Sequence, residues 1–258
     1  MSPTEHSLEP VQRLDRNCSK LNLDETLRLA DDLYRKRGEP GSVEQSLELL
    51  DGALASSRRG FYEVYWRRSR ACFFLGQQAE RRTQKAARHR AGVESGKRAA
   101  ATDSASVEGH FWLGVNLALL AEASGGISGA IAMFRARRSL TRASEIRESY
   151  HGAGPLRVLG RLAHKAPRAL GGSLSKAQRL YARALEIRSG NTVTLIYAAE
   201  LALQLGKTEH AGRLLRTVLE CGGVPDWEFE ATRDKQIARV LLERLHQNRP
   251  YPSRGDSL

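Results

Sequence analysis

The side chains that most often do chemistry are few in this chain and poorly placed for it. Seven histidines stand at His6, His89, His110, His151, His164, His210 and His246, and no two are three or four residues apart. No helical face therefore offers the paired imidazoles of a zinc site. Cys18, Cys72 and Cys221 are odd in number and widely spaced, which excludes a disulfide framework or a Cys-rich metal module. Gly92-Val93-Glu94-Ser95-Gly96-Lys97 approaches a phosphate loop, but it is one residue short. Arg98 also stands where a Ser or Thr would hold magnesium. Gly152-Ala153-Gly154 lacks the third glycine of a dinucleotide fingerprint. No nucleophile elbow occurs. The expectation is a non-enzymatic protein with no metal and no cofactor.

The charge is the more informative chemistry. Lys and Arg number 41 against 29 Asp and Glu, a formal net charge of +12. Residues 1–57 carry −4, residues 58–147 carry +10, and residues 148–258 carry +6. Basic density peaks at Arg81, Arg82, Lys85, Arg88, Arg90, Lys97 and Arg98. The stretch reads either as a solvated helix face or as a footprint for an anionic partner such as RNA, lipid headgroups or an acidic protein. Aromatic residues, which would favour single-stranded nucleic acid, are absent from 77–105. No segment reaches the ~20 apolar residues of a membrane span. The first thirty residues include Asp15, Asp24 and Glu25. They do not read as a secretory leader, so the chain as written is expected in the cytoplasm, or in the periplasm if a leader has been removed.

The elements that must position these residues are helices. β-branched residues are sparse, no segment alternates as a strand would, and Gly and Pro breakers recur between segments of helical length. The pattern predicts eleven helices, near 24–37, 43–57, 61–75, 78–101, 106–124, 128–148, 154–165, 174–188, 192–205, 208–221 and 228–247. Asp24, Ser42, Ser106, Ser173 and Asn191 are the expected N-caps. An arm over 1–23 and a tail over 248–258 are expected to flank a repeat domain at 24–247.

Short links make consecutive helices antiparallel hairpins. Ala177, Tyr181, Ala184 and Leu185 have spacing that recurs at Ala211, Leu215, Val218 and Leu219, and at Ser46, Leu50, Ala53 and Leu54. Small residues seven apart permit close approach while large ones between them fill the gap, the pattern of a tetratricopeptide (TPR) hairpin. The predicted fold is all-α: TPR-like stacked hairpins forming an α-solenoid. Between Gly160 and Ala177 the chain is longer than such a repeat requires. Lys165, Pro167, Arg168, Gly171 and Gly172 form this insertion, which either projects a contact or bridges two widely set helices.

Three segments carry a more specific likeness. Gly109-His110-Phe111-Trp112-Leu113-Gly114-Val115-Asn116-Leu117, Gly154-Pro155-Leu156-Arg157-Val158-Leu159-Gly160-Arg161-Leu162, and Lys165-Ala166-Pro167 leading to Gly171-Gly172 resemble a TPR-like family. It includes the T-components of TRAP-type transporters, which are bacterial periplasmic lipoproteins, and more distantly the mitochondrial regulators of microtubule dynamics. The likeness runs from about residue 61 to 247 and includes Pro225-Asp226-Trp227-Glu228 and Asp234-Lys235. It implies helical hairpins around a cavity or pore, no enzymatic activity, and binding of a protein or a small apolar ligand.

Within 106–124, apolar residues wrap the whole helix, so Asn116 is expected to be buried and in need of hydrogen-bond partners. Arg157 is the expected donor to it. Trp112, Asn116 and Arg157 then either tie two hairpins together or line a cavity for an amphipathic or anionic ligand. The leading functional expectation is an adaptor that binds a protein partner on a concave surface or in a central cavity. The alternatives are a ligand-binding accessory of a TRAP-type transporter and an anionic-surface or RNA binder acting through 81–98.

Overall fold

The computed structural model describes residues 22–56, 61–222 and 227–247. Among them are eleven α-helices and one short 3-10 turn at Arg168–Leu170. In chain order the helices are α1 (Leu23–Arg35), α2 (Ser42–Ser56), α3 (Tyr62–Gln78), α4 (Arg82–Thr102), α5 (Val107–Ser124) and α6 (Gly126–Arg147). They continue as α7 (Tyr150–Lys165), α8 (Leu174–Ile187), α9 (Thr192–Gln204), α10 (Thr208–Glu220) and α11 (Glu228–His246). No strand occurs among the described residues.

The helices pair as α1–α2, α3–α4, α5–α6, α7–α8 and α9–α10, with α11 covering the last hairpin. The first helix of each pair also touches the first helix of the next, as α1, α3, α5, α7, α9 and α11 do in series. This is the TPR-like stack that the small-residue spacing predicts. Ala177, Ala184, Ala211 and Val218 are wholly buried at the close-approach points, with Tyr181 and Leu215 filled in between. Ser46 is buried as well, and its hydroxyl donates to the Ala30 carbonyl at 2.8 Å, joining α1 to α2. Leu54, Leu185 and Leu219 are not fully buried, so the last position of the pattern is an edge rather than a core position.

Three predicted caps differ. Ser42 is itself the first residue of α2, and the Gln45 amide bonds the Gly41 carbonyl before it. Helix α1 is capped by Asn22, not Asp24: Asn22 Oδ1 accepts from the Glu25 amide at 2.9 Å, and Glu25 accepts from the Asn22 amide at 3.0 Å. This reciprocal box satisfies two free amides, which Asp24 inside the first turn cannot do. Ser106 precedes α5 but gives its hydroxyl to Asp103 instead of accepting from an amide. Ser173 and Asn191 cap as expected, accepting from Lys176 and Thr194. The expected tail over 248–258 and most of the expected N-terminal arm lie outside the described residues, as does Pro225-Asp226.

The array closes on itself. Phe229 of α11 meets Phe74 of α3 edge-on at 5.4 Å, and Glu230 takes both Nε and Nη2 of Arg37, which follows α1. The first helices and the last thus share a core of Tyr34, Val43, Leu47 and Phe74 with Phe229. Close approach within a hairpin depends on glycine. At Gly160 a Cβ would lie 2.5 Å from the ring of fully buried Tyr181. Gly160→Ala is expected to destabilise the chain by about 2 kcal/mol despite the ~1 kcal/mol that alanine gains as a helix former. A thermal melt checks this; an unchanged or raised midpoint would show that Tyr181 yields freely.

Candidate functional site

The interior site is built on a backbone irregularity at the head of α7. His151, Gly152 and Ala153 have φ of 52, 61 and 60°, three consecutive left-handed residues. Gly152 adopts this freely, whereas His151 and Ala153 each cost about 1–2 kcal/mol. Right-handed helix resumes at Gly154, with Pro155 in the first turn where its missing amide is harmless. Arg157 holds the turn. Its Nη1 donates to the carbonyls of Gly152 at 3.0 Å and His151 at 3.4 Å, and to Asn191 Oδ1 at 3.4 Å. Its Nη2 faces His151 Nδ1 at 3.3 Å. Because guanidinium only donates, Nδ1 accepts and the imidazole proton sits on Nε2.

His151 is the hub of an aromatic cluster. Its ring lies 4.6 Å from Trp227, 5.1 Å from Trp112 and 5.2 Å from Phe111. Burial, followed by the charges of Arg157, Arg70 and Arg37, holds the imidazole well below its ordinary pKa, so it is neutral. Two of those arginines are answered by carboxylates: Arg37 by Glu230, and Arg70 by Asp31 at 2.6 Å. Asp31 also serves Arg67 at 2.9 Å. Burial opposes ionisation of Asp31, but the two guanidiniums together bring its pKa below the ordinary value.

Arg157 is different. It is 5% exposed, and its hydrogen-bond acceptors among the described residues are all neutral. The nearby acids are taken elsewhere, Glu230 by Arg37 and Asp234 by Thr192 at 2.7 Å and Arg233 at 2.8 Å. Desolvation lowers the Arg157 pKa to about 10, which leaves it cationic at neutral pH. It also makes a cation–π contact, 5.6 Å from the Trp227 ring centre.

Against this wall lies a cavity of about 170 Å³, whose lining includes His151, Gly152, Arg188, Asn191, Thr192 and Trp227. Four of these residues touch Arg157. At ~30 Å³ per water the space holds about five or six waters, or a small organic anion. Among the described residues, no cluster of three or more His, Cys, Asp or Glu is arranged to hold a metal ion. No described helix is long and apolar enough to cross a membrane.

Of the predicted site residues, Trp112 and Arg157 both reach His151, but Asn116 faces away. The expected Arg157–Asn116 bond is not made. Asn116 is fully buried and donates to the carbonyls of Ser69 at 2.9 Å and Trp112 at 3.0 Å, while its Oδ1 meets His89 Nδ1 at 3.1 Å. Arg157 is instead consumed locally by the left-handed turn six residues before it. The phosphate-loop-like run lies within α4, where Gly92 and Gly96 make room for Asn116 and Leu113.

The basic stretch does not form one face. Arg82 reaches the Ala123 carbonyl at the end of α5. Arg98 turns to the Tyr65 hydroxyl on α3, and Lys97 joins a groove on the side of α6. In the insertion, the amides of Leu170 and Gly172 bond the Pro167 carbonyl at 3.0 and 2.9 Å, and Gly171 is left-handed. Arg137 of α6 pins the turn by donating to the Leu170 and Gly171 carbonyls. Lys165 lies 3.6 Å from Glu200 on α9, while Arg168 is exposed.

His151, Trp227, His89, Arg37 and Arg70 join the interior although the sequence does not point to them as members of it. His151 carried a signal, standing before Gly152-Ala153-Gly154-Pro155, a run that cannot continue a regular helix. The others are joined only by folding.

Comparison with known proteins agrees with this architecture. A thermophilic TPR protein of Thermus thermophilus superposes with a TM-score of 0.63 at 20% identity, covering 84% of this chain and 98% of its own. No curated protein matches the chain. The family model of the TRAP transporter T-component matches residues 62–247, from α3 through the closing helix α11. With most of its length matched and its helices stacked as hairpins, the chain belongs to the TRAP transporter T-component family.

Proposed function

We propose that this chain is a non-enzymatic binding component of a TRAP-type solute transport system, docking a protein partner and holding a small anionic ligand inside. The observation that carries the ligand reading is Arg157, a buried cation with no carboxylate partner among the described residues, behind the wall of an aromatic-lined cavity. Burying an unpaired charge is costly, and a ligand carboxylate entering beside Trp227 would answer it. Arg188 at the same cavity adds a second cation. Neutral His151 offers its Nε2 proton rather than a competing charge, and the indole supplies an apolar flank for the ligand body. The repeat surface supplies the docking part of the reading, since stacked hairpins present extended faces to protein partners.

Benzoate is a suitable probe, with benzyl alcohol as its uncharged counterpart. Quenching of tryptophan fluorescence is expected with benzoate and weak with the alcohol. Arg157→Met is expected to weaken benzoate about 100-fold, the scale for removing one partner of a buried charge pair, and Arg157→Lys to recover part of it. Equal binding of the acid and the alcohol would remove the anionic reading. Affinity purification from native cells tests the docking part; recovery of no transporter protein would count against it.

A further inference from the structure

The outer face of α6 carries the most exposed large apolar side chains among the described residues. Ile127, Ile131 and Phe134 are 82, 56 and 75% exposed at spacing i, i+4, i+7, forming one stripe along the helix. Core packing does not explain them, because α6 buries its opposite side through Ala132, Ala136, Leu140 and Ala143. At about 100° per residue, Arg138 continues the stripe, and Arg135 and Arg137 lie roughly 80° to either side. Arg137 fixes the insertion beside it, so half-exposed Leu170 and exposed Arg168 border the same face. On the other flank runs a groove of about 750 Å³ with Leu113 and Leu117 in its lining, Lys97, Arg135, Arg138 and Arg142 around them, and Glu145 paired with Arg142 at 3.4 Å. From Gly126 to Ser144 the chain has no Asp or Glu.

We infer that this face rests on an anionic lipid surface, with the Ile127–Ile131–Phe134 ridge inserted among the headgroups and the arginines on lipid phosphates. A protruding apolar ridge between cations is the arrangement of an interfacial helix. The groove beside it gives a phospholipid headgroup several basic partners and its upper acyl chain an apolar floor. Charge distinguishes this occupant from a second copy of the chain. Self-contact across α6 would set Arg135 and Arg138 against their own kind, with Glu145, already paired with Arg142, as the one carboxylate of the helix. Lipid phosphates answer all of them. The basic 81–98 stretch contributes through Lys97 in the groove, while Arg98 faces α3 and takes no part.

The test is co-sedimentation of the full chain with vesicles of phosphatidylcholine alone or mixed with an equal part of phosphatidylglycerol. Retention is expected on the mixed vesicles only, and is expected to fall as salt is raised. Phe134→Ser is expected to cut partitioning about tenfold, as loss of one inserted aromatic ring implies. Arg135→Gln and Arg138→Gln are each expected to cut it about fivefold. All three positions lie on the outer side of α6, so the variants should keep the wild-type melting temperature. Arg157→Met, in the interior, should leave retention unchanged. Equal retention on both vesicle types, or wild-type retention of Phe134→Ser, would overturn the inference. So would a wild-type oligomer, seen by light scattering, that Phe134→Ser dissociates while no vesicle is bound; that result would give the face to a second copy.

Discussion

Asn116→Leu is expected to cost about 3 kcal/mol of stability and to lower the thermal midpoint by roughly 6–12 °C for a chain of this size. Leucine shares the branching of asparagine at Cγ but is bulkier, so the loss combines missing hydrogen bonds with overpacking. Asn116 donates to the Ser69 carbonyl and hydroxyl on α3 and to the Trp112 carbonyl on its own helix, and accepts from His89 on α4. It thus joins two hairpins at a point with no access to water. Leucine would leave the His89 Nδ1 proton buried without an acceptor, and a branched side chain would press on Gly92, whose packing is fitted to the flat amide. Ser69→Ala, which removes one hydroxyl, should cost about 1 kcal/mol. A double-mutant cycle of Asn116→Leu with His89→Phe should show strong coupling, since the second change removes the orphaned donor. If Asn116→Leu alters stability by less than ~0.5 kcal/mol, the amide network does not hold the hairpins together.

Acid should begin to weaken this protein above the pH at which its carboxylates titrate. Burial lowers the pKa of His89, His151 and His164, the last to about 4 from an ordinary 6.5. With folded-state values below unfolded ones, the unfolded chain binds more protons between about pH 6.5 and 4, so stability rises with pH across that window and is lost on descent. His164 is wholly buried, and its shift corresponds to roughly 3 kcal/mol once pH is below about 4. His89 and His151 act in the same direction. Asp31, whose pKa lies below 3.8, contributes only at lower pH. Urea unfolding at about pH 7, 6 and 5 measures the slope. The expected result is a progressive loss that His164→Gln reduces. A flat profile over this range would mean that these imidazoles become protonated without disturbing the fold.

The hairpins are legible in the sequence because their determinants are local. Ala177, Tyr181 and Ala184 declare a close-packed face by spacing alone, and Gly171-Gly172 after Pro167 can only turn. The odd length between Gly160 and Ala177 likewise announces the insertion found at Arg168–Leu170. The site is legible only in part. Trp112 and Arg157 can be singled out, the first by burial on an all-apolar helix, the second as a charge in an apolar run. Their partners cannot. Arg157 and Asn116 look like partners because both are conspicuous, yet the left-handed turn at His151–Ala153 places two carbonyls within reach of the guanidinium first. Asn116 pairs with His89, a histidine with no local feature to mark it. The exposed stripe on α6 is hidden for a related reason: Ile127, Ile131 and Phe134 have the spacing of a core face, and sequence does not say which side of a helix its neighbours will cover.

Helix limits, antiparallel pairing and the excess of positive charge are written in the order of the residues, because each depends on contacts a few positions apart. Closure of the array is not. It joins Arg37 to Glu230 and brings Trp227 onto His151, contacts that depend on small rotations accumulated from one hairpin to the next. Such rotations are set by many side chains packing at once, so only the folded chain decides that an unpaired guanidinium ends up inside and three apolar side chains end up outside.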